Sequence, residues 1–245
     1  MKKTVCVIFG GASSEYEISL MSSSSILRNL DTEKFDIVTL GITKDGRWLL
    51  YTGDVDSIEN DTWVNHPENR TAFLSPDRGT AGLVVLEKGG ACAFRKIDVI
   101  FPVLHGKNGE DGTIQGLFEL CGIPYVGCGT LASAICMDKA VTHSLLASAN
   151  IEQAHYLWFY ADRYAANREK ILNKILARLN FPVFVKPANA GSSVGITKVS
   201  EPEKLDEAIR LAAQHDVKIV VEEGIAGQEV ECAVLGSRGK SEASI

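Results

Sequence analysis

A lysine lies at the end of a short apolar run, residues 181–185, in the second half of the chain. The run is rich in β-branched and aromatic residues, so it predicts a buried strand that ends at Lys186, and Pro187 is expected to stop further pairing. An ammonium group fixed at the end of a strand is a point positive charge that suits a phosphate. This placement predicts an anion-binding role for Lys186.

The residues that follow Lys186 form a loop rich in glycine and serine. Gly191 and Gly195 allow the backbone to fold back closely. The backbone N–H groups, together with the hydroxyls of Ser192 and Ser193, can then face an anion. Residues 196–199 predict a second strand, so the whole segment would be a hairpin with a phosphate clamp at its tip. Short glycine-rich motifs also occur in ordinary surface hairpins, so this pattern alone leaves both interpretations open.

A carboxylate, Glu15, follows a glycine pair at the end of the first predicted strand, residues 4–9. Ser14 and Glu17 have the spacing of a capping box, and an acid in the first turn also complements the helix dipole, so helix initiation can explain the turn. The alternative is that a glycine-rich corner at the carboxyl edge of a sheet presents Glu15 to a ligand ammonium. The spacing G-x-G-x-x-G is absent, which argues against a nicotinamide dinucleotide site.

A second polar loop, residues 105–112, follows a strand predicted over 97–104 and precedes a helix predicted over Thr113–Cys121. The loop combines His105 with a lysine, acids and glycines, a composition typical of an active-site edge. An ordinary strand-to-helix loop, with His105 as a hydrogen-bonding residue at the strand end, is the alternative.

Further charged residues lie at the ends of predicted elements. Lys139 falls inside a helix predicted over 131–149, where spacing alone favours a surface lysine. Glu222 and Glu223 end a predicted strand, at an edge that suits an adenine amino group or a hydroxyl. Residues 227–235 alternate in polarity and predict an antiparallel strand that carries Glu229.

Strands and helices alternate along most of the chain, which predicts an α/β fold. A second strand is predicted over Phe35–Ile42, whereas residues 43–95 predict a polar, irregular excursion with short strands or a small hairpin around 83–86. In the second half, the patterns predict a strand over 155–160 and helices over 167–179 and 201–213.

The composition of the 245 residues is that of a globular protein, with 45% hydrophobic residues and a net charge of -6. The acidic balance argues against nonspecific binding to nucleic acid or to a membrane surface. No apolar run approaches the length of a membrane span. The six cysteines form no Cys-x-x-Cys pair, and a reducing cytoplasm is therefore the expected location.

Several of these stretches occur together and in one order, and the set closely resembles the D-alanine-D-alanine ligase family. The resemblance covers nearly the whole chain. Its motifs are 8–19 (IFGGASSEYEIS), 104–116 (LHGKNGEDGTIQG), 124–127 (PYVG), 137–139 (MDK), 185–187 (VKP) with 191–195 (GSSVG), and 221–223 (VEE) with Glu229.

The resemblance implies an ATP-grasp fold of mixed α/β and α+β class. Residues 1–127 would form an N-terminal, Rossmann-like substrate domain, and residues 128–222 would form the central ATP-grasp subdomain. Residues 223–245 would be the opening of a truncated C-terminal subdomain. The family's Mg²⁺ ligands and its second-substrate residues are then expected beyond Ile245, and no metal ligand is assigned within the chain. Residues 1–245 alone are therefore expected to be an incomplete enzyme that does not turn over.

The resemblance also implies roles for individual residues. Glu15 would bind the ammonium of the first D-alanine in a hydrogen-bonded set with Ser192, and His105 would lie beside that substrate. Lys139 and Lys186 would hold the ATP phosphates, Glu222 would meet the adenine amino group and Glu229 the ribose. The implied ATP site comprises Lys139, Lys186, Gly191, Ser192, Ser193, Val194, Gly195, Glu222, Glu223, Gly224, Ile225 and Glu229.

The implied reaction is the ATP-dependent joining of two D-alanines through D-alanyl phosphate, which supplies a peptidoglycan precursor. D-alanine and ATP are the expected small-molecule partners, and a homodimer is the expected assembly. Two alternatives stay open. Vancomycin-resistance ligases that use D-serine or D-lactate share these motifs, and the N-terminal half, including residues 35–48, resembles the D-serine type. Val194, where resistance ligases often carry phenylalanine, instead favours D-alanine. A non-catalytic ATP-binding module is the other alternative. Gly224 replaces a bulkier residue of many relatives, so looser adenine packing is expected there.

Overall fold

Two sheets contain most of the strands in the computed structural model, which describes residues 2–191, 193–237 and 239–244. The seven-stranded sheet is formed by β1 (Lys3–Gly10), β2 (Phe35–Ile42), β3 (Trp48–Tyr51), β4 (Arg70–Leu74), β5 (Gly82–Leu86), β6 (Cys92–Lys96) and β7 (Val99–Val103). The four-stranded sheet is formed by β8 (Tyr156–Tyr160), β9 (Val183–Pro187), β10 (Thr197–Val199) and β11 (Lys218–Glu223). A separate pair consists of β12 (Val234–Ser237) and β13 (Lys240–Ala243).

The helices cover and connect these sheets. They are α1 (Tyr16–Asn29), α2 (Val55–Glu59), α3 (Thr113–Cys121), α4 (Thr130–Met137), α5 (Lys139–Ser148), α6 (Ala161–Ala166), α7 (Arg168–Arg178) and α8 (Leu205–Ala212). Two short 3-10 turns occur at Trp63–Asn65 and Pro202–Lys204. Within the described ranges, every helix is too short or too polar to cross a membrane.

The strand order in the first sheet is β6-β5-β4-β3-β2-β1-β7, and β1 runs parallel to both of its neighbours. Phe9 on β1 therefore lies opposite Val103 on β7. Since parallel strands end at the same edge, the loops that follow β1 and β7 begin side by side. These loops carry Glu15 and His105, which are far apart in sequence.

Residues 43–95 contain the short strands predicted around 83–86, but they are not an irregular excursion, because they form an antiparallel extension of the sheet. Strands β3 to β6 add one after another beyond β2. The strands are short, so each gave too few alternating residues for a clear period in sequence. Trp63 anchors the extension, because its buried ring packs 4.8 Å from Phe9 and its indole N–H donates to the Tyr16 hydroxyl at 2.9 Å.

The second sheet has the order β10-β9-β11-β8 and carries helices on one face. The predicted hairpin of β9 and β10 is present, but the prediction that Pro187 stops pairing was wrong, because Pro187 lies opposite Ile219 on β11. On the other side of β9, strand β10 begins at Thr197, which lies opposite Val185. Pro187 therefore has no β10 partner that would need its missing N–H.

The helix predicted over 131–149 is two helices, because the chain turns at Asp138. The backbone of Asp138 is extended (φ -82°, ψ 101°), and its carboxylate accepts hydrogen bonds from the N–H groups of Ala140 and Val141. Asp138 is thus the N-cap of α5. As a consequence, Lys139 is the first residue of a helix and not a residue on the surface of a long one.

Two further local predictions were wrong. The capping box of Ser14 and Glu17 does not form, since α1 begins after Glu15, which makes no capping hydrogen bond with its side chain. The strand predicted over 227–235 is present only from Val234, which lies opposite Ala243 on β13. Alternation makes a strand only where a partner strand supplies the hydrogen bonds.

Candidate functional site

Lys139 joins α5 to the loop after β9, here named the glycine-serine loop (residues 188–191 and 193–196). The backbone N–H of Lys139 donates to the carbonyl of Ala188 at 3.1 Å, and its Nζ donates to the carbonyl of Ala190 at 2.6 Å. Beneath this contact, Ala140 of α5 packs on Ala188 and Val220 in a small buried cluster. Packing and hydrogen bonds together fix Lys139 at the start of the loop.

Lys186 is the second cation at this place, near the end of β9. Burial lowers the pKa of Lys186, and the neighbouring charge of Lys139 lowers it further. Burial also lowers the pKa of Lys139, although the charges of Asp216, Asp138 and Glu15 act in the opposite direction. Two partly desolvated ammonium groups that repel each other favour a bound polyanion, because an anion between them relieves the repulsion.

Glu15 lies against the same loop from the first sheet. The side chain is 5% exposed, and a Cβ built on Gly191 would lie 2.8 Å from its Oε1 atom. A side chain at Gly106, in the loop after β7, would also collide with this carboxylate. The structure therefore brings Glu15, Gly191 and Lys139 together from three separate segments.

The close approach of Gly191 to Glu15 gives a testable prediction. In Gly191→Ala the added methyl must displace either the loop or the carboxylate, so we expect affinity for any ligand held between them to fall about tenfold. Gly227→Ala is the matched control, since no atom lies within 4 Å of a Cβ there. Isothermal titration of both variants with ATP measures the effect. Equal affinities of Gly191→Ala and Gly227→Ala for ATP would contradict the proposed contact.

The loops that carry Glu15 and His105 are joined by Ser13, a residue that the sequence did not single out. The Ser13 hydroxyl donates to the carbonyl of His105 at 2.9 Å and accepts from the N–H of Glu15 at 3.1 Å. The His105 ring lies 3.1 Å from the Ser22 hydroxyl through Nε2. His105 also lines a cavity of about 300 Å³ at the carboxyl edge of the first sheet, with Gly11, Leu104 and Trp48 among its walls.

The two acids at the end of β11 point to opposite faces of the sheet. Glu222 accepts from Lys186 through Oε1 and lies 2.9 Å from His143 Nε2 through Oε2. Glu223 accepts from the backbone N–H and the side-chain amide of Asn180, at 2.6 and 2.9 Å. These hydrogen bonds outweigh the effect of burial and lower the pKa of Glu223. Only Glu222 therefore shares a face with the lysines.

The remaining residues of the implied ATP site have different surroundings. The backbone N–H of Gly224 donates to the carbonyl of Pro182 at 2.8 Å, and a Cβ on Gly224 would lie 2.9 Å from that oxygen. Ile225 is 74% exposed, and Glu229 is exposed outside any strand. The structure does not bring Glu229 into the cluster around Lys186, and Ser192 lies outside the described residues.

The glycine-serine loop rests on residues 215 and 216. Asp216 accepts from both the backbone N–H and the side-chain amide of Asn189, at 2.7 and 2.8 Å. Gly195 has a φ of +70°, and a Cβ there would collide with the His215 ring. Val194 donates to the carbonyl of Gly191 at 3.0 Å, which closes the turn. The loop is thus held at both ends.

A partly buried ion pair holds the α4–α5 junction to the second sheet. Asp138 accepts from Lys218, and the side chains are 13% and 16% exposed. Burial acts to raise the pKa of Asp138, but the bond from Lys218 and the N–H groups of α5 outweigh it, so this pKa lies below its ordinary value of 3.8. The pair therefore contributes stability above pH 3.8 and loses it as the pH falls through the lower folded-state pKa.

We expect Asp138→Asn to lower the free energy of unfolding by about 2 kcal/mol at pH 7, because asparagine keeps the cap but leaves Lys218 without its anion. The difference from the parent protein should shrink below pH 4. Asp54→Asn, at the exposed N-cap of α2, is the control and should change stability little. Urea unfolding at pH 7 and pH 3 tests this, and a difference independent of pH would contradict it.

The described residues bring together no group of three or more histidine, cysteine, aspartate or glutamate side chains that could hold a metal ion. Two ammonium groups and two carboxylates meet beside the glycine-serine loop, with Glu15 acting on Lys139 and Glu222 paired with Lys186. In an α/β protein such an arrangement can hold a phosphorylated ligand together with an ammonium or amino group.

Comparison with known proteins assigns the family. Residues 4–128 match the family model described as D-ala D-ala ligase N-terminus, and residues 145–245 match the one described as D-ala D-ala ligase C-terminus. The chain belongs to the D-alanine-D-alanine ligase family.

Individual relatives agree with this assignment. A D-alanine--D-alanine ligase of Caldicellulosiruptor bescii is 50% identical over 96% of this chain and 64% of its own length. One of Acetivibrio thermocellus is 48% identical over 96% of this chain and 65% of its own length. The chain thus spans about two thirds of the length of the curated relatives it matches.

Solved structures show the same fold. The VanG D-Ala:D-Ser ligase from Enterococcus faecalis is 46% identical, with a TM-score of 0.88 over 99% of this chain and 68% of that one. The D-alanine-D-alanine ligase from Coxiella burnetii is 31% identical, with a TM-score of 0.84 over 99% of this chain and 67% of that one. The mixed α/β class predicted from the sequence is confirmed.

Proposed function

We propose that this protein is an ATP-dependent ligase that joins two D-alanines through D-alanyl phosphate, with an ATP-grasp fold, to supply a peptidoglycan precursor. The observation that supports it most is the approach of Glu15 to Gly191 and Lys139. A carboxylate for an ammonium and cations for a triphosphate must lie within one substrate length of each other in such an enzyme. The domain limits proposed are 1–127, 128–222 and 223–245.

The proposed chemistry has two steps. The carboxylate of the first D-alanine attacks the γ-phosphorus, the bond to the ADP oxygen breaks, and an acyl phosphate forms. The amine of the second D-alanine then attacks the acyl carbon, loses a proton, and phosphate leaves. Negative charge moves on the transferring group in the first step, so fixed cations such as Lys139 and Lys186 stabilise it.

Each residue of the cluster has a role that suits these steps. Glu15 would hold the ammonium of the first D-alanine and so aim its carboxylate at the phosphate, with His105 beside it. The glycine-serine loop, including Ser193 and Val194, would cover the phosphates and keep water from the acyl phosphate. Glu222 would accept from the adenine amino group, while Gly224 and Ile225 would line the base and Glu229 would bind the ribose.

Magnesium, which the family resemblance implies, has no place among the described residues. Two of the carboxylates beside the lysines are already paired, Glu222 with Lys186 and Asp138 with Lys218. We therefore assign no ligand to a metal and derive no step from one. A cytoplasmic location and a homodimer complete the proposal, and light scattering of the purified protein tests the second.

Product analysis tests the proposed reaction directly. The full-length gene product that contains residues 1–245 is incubated with ATP, D-alanine and one acceptor at a time: D-alanine, D-serine or D-lactate, with L-alanine as the control. Formation of D-alanyl-D-alanine with phosphate release is the expected result. A preference for D-serine would instead support the activity named for VanG, to which this fold is similar. Stabilisation by ATP without phosphate release for any acceptor would indicate a non-catalytic ATP-binding module.

A further inference from the structure

His143, on α5, is held by hydrogen-bonding partners on both sides of its ring. Its ring stacks on Tyr156 of β8, with centroids 4.1 Å apart and an interplanar angle of 13°. Nδ1 faces Oε1 of Gln153, and Nε2 lies 2.9 Å from Oε2 of Glu222. The side chains of His143 and Glu222 are each 14% exposed. No local pattern in the sequence indicates this cluster.

Both ring nitrogens face acceptor atoms. The amide nitrogen of Gln153 donates to the carbonyl of His143 at 2.8 Å, which orients the amide oxygen towards Nδ1. An amide oxygen and a carboxylate oxygen only accept, so this geometry suits a ring that carries a hydrogen on each nitrogen. A ring in that state makes a charge-assisted hydrogen bond to Glu222.

Glu222 thus has a basic side chain beside each oxygen, Lys186 at Oε1 and His143 at Oε2. Each carboxylate oxygen can accept a second hydrogen bond, so the group can still receive a donor from a ligand. A triphosphate that attracts Lys186 would weaken one of these pairs. His143 would then be the main support of the negative charge on Glu222.

We propose that His143 is a positioning residue that keeps Glu222 ionised and aligned, so that the site selects a purine with an amino group at position 6 over one with a carbonyl there. This inference rests on the proposed ATP site. An ionised carboxylate accepts from an amino group and repels a carbonyl oxygen, whereas a protonated or displaced one does not discriminate. The titratable or charged groups around His143 are Glu222 from β11, the Tyr156 hydroxyl from β8 and, through Glu222, Lys186 from β9.

The test compares ATP with inosine triphosphate, which carries a carbonyl at position 6. We measure both dissociation constants by titration calorimetry for the parent protein and for His143→Gln, which keeps an N–H donor but removes the charge. The dissociation constant for inosine triphosphate divided by that for ATP measures the selectivity. This ratio is expected to fall about tenfold in the variant. His155→Gln is the matched control, because His155 pairs with Glu223 on the opposite face and is largely exposed.

A second measurement does not depend on a variant. Nitrogen-15 NMR of the ligand-free parent protein at pH 7 should show both nitrogens of the His143 ring protonated. A neutral ring, or an unchanged selectivity ratio in a folded His143→Gln protein that still binds ATP, overturns the inference and leaves the proposed function standing. A parent protein that binds no nucleotide removes the proposed site and this inference with it.

Discussion

Glu15→Gln is expected to remove D-alanine-dependent phosphate release almost completely while leaving the affinity for ATP within about threefold. Glutamine has the shape of glutamate but no charge, so an ammonium brought to this buried position would lose its counter-ion. Truncating one side of a buried, hydrogen-bonded charge pair costs about 2–5 kcal/mol, which corresponds to a loss of about thirty- to several-thousand-fold in kcat/KM. The rate of phosphate release by the full-length gene product, as a function of D-alanine concentration, measures it.

Glu17→Gln is the control for this prediction, since Glu17 lies on the same helix but is exposed and pairs with Lys44 at 2.5 Å. An exposed pair contributes little, so activity should remain close to that of the parent. If Glu15→Gln and Glu17→Gln are equally active, Glu15 does not bind the substrate ammonium. If Glu15→Gln also loses ATP binding, Glu15 has a structural role in holding the loop.

Lys186→Met is expected to weaken ATP binding about a hundredfold, the second large effect. The buried ammonium would otherwise donate charge-assisted hydrogen bonds to phosphate, each worth about 1.5–3 kcal/mol. Methionine keeps most of the apolar stem, so packing changes little. The variant also leaves Glu222 with His143 as its remaining cation, which should further reduce discrimination between bases. Calorimetric titration with ATP, and separately with adenosine, measures the phosphate contribution.

Lys198→Met is the control for Lys186→Met, because both ammonium groups lie over the ring of Phe184, at 5.6 and 5.9 Å. Lys198 is exposed on β10 and is outside the implied site. Its replacement should leave ATP affinity within about twofold. Equal losses in both variants would mean that a general effect of charge, and not a specific contact from Lys186, attracts the nucleotide.

The parts of the site that follow strand ends were predictable from sequence. Glu15 and Lys186 each follow a strongly apolar run, and glycines mark the adjacent turns, so local pattern indicated both the strand and the polar residue at its end. The resemblance to a family supplied their expected ligands, the D-alanine ammonium for Glu15 and the ATP phosphates for Lys186. Neither source could show that β1 and β7 are neighbours, which depends on the whole sheet.

Other parts depended on contacts between distant segments. Lys139 was predicted on a helix surface because hydrophobic periodicity does not detect a break, although Asp138 has the residue type of an N-cap. Glu222 and Glu223 looked equivalent, whereas strand alternation alone is enough to separate them. Ser13 and His143 act through partners that no local pattern specifies, since their hydrogen bonds reach residues 92 and 79 positions away.

The strand order of the first sheet places one turn far from the candidate site. Because β1 pairs directly with β7, strands β2 to β6 lie on the other side of β1. The turn between β5 and β6 is therefore at the outer edge of the sheet. A Cβ at Gly89 or Gly90 in that turn would meet no atom within 4 Å. A short peptide tag inserted in this turn should leave catalysis unchanged, and an activity assay of the tagged protein would show it. The turn between β5 and β6 is therefore a suitable place to attach a reporter.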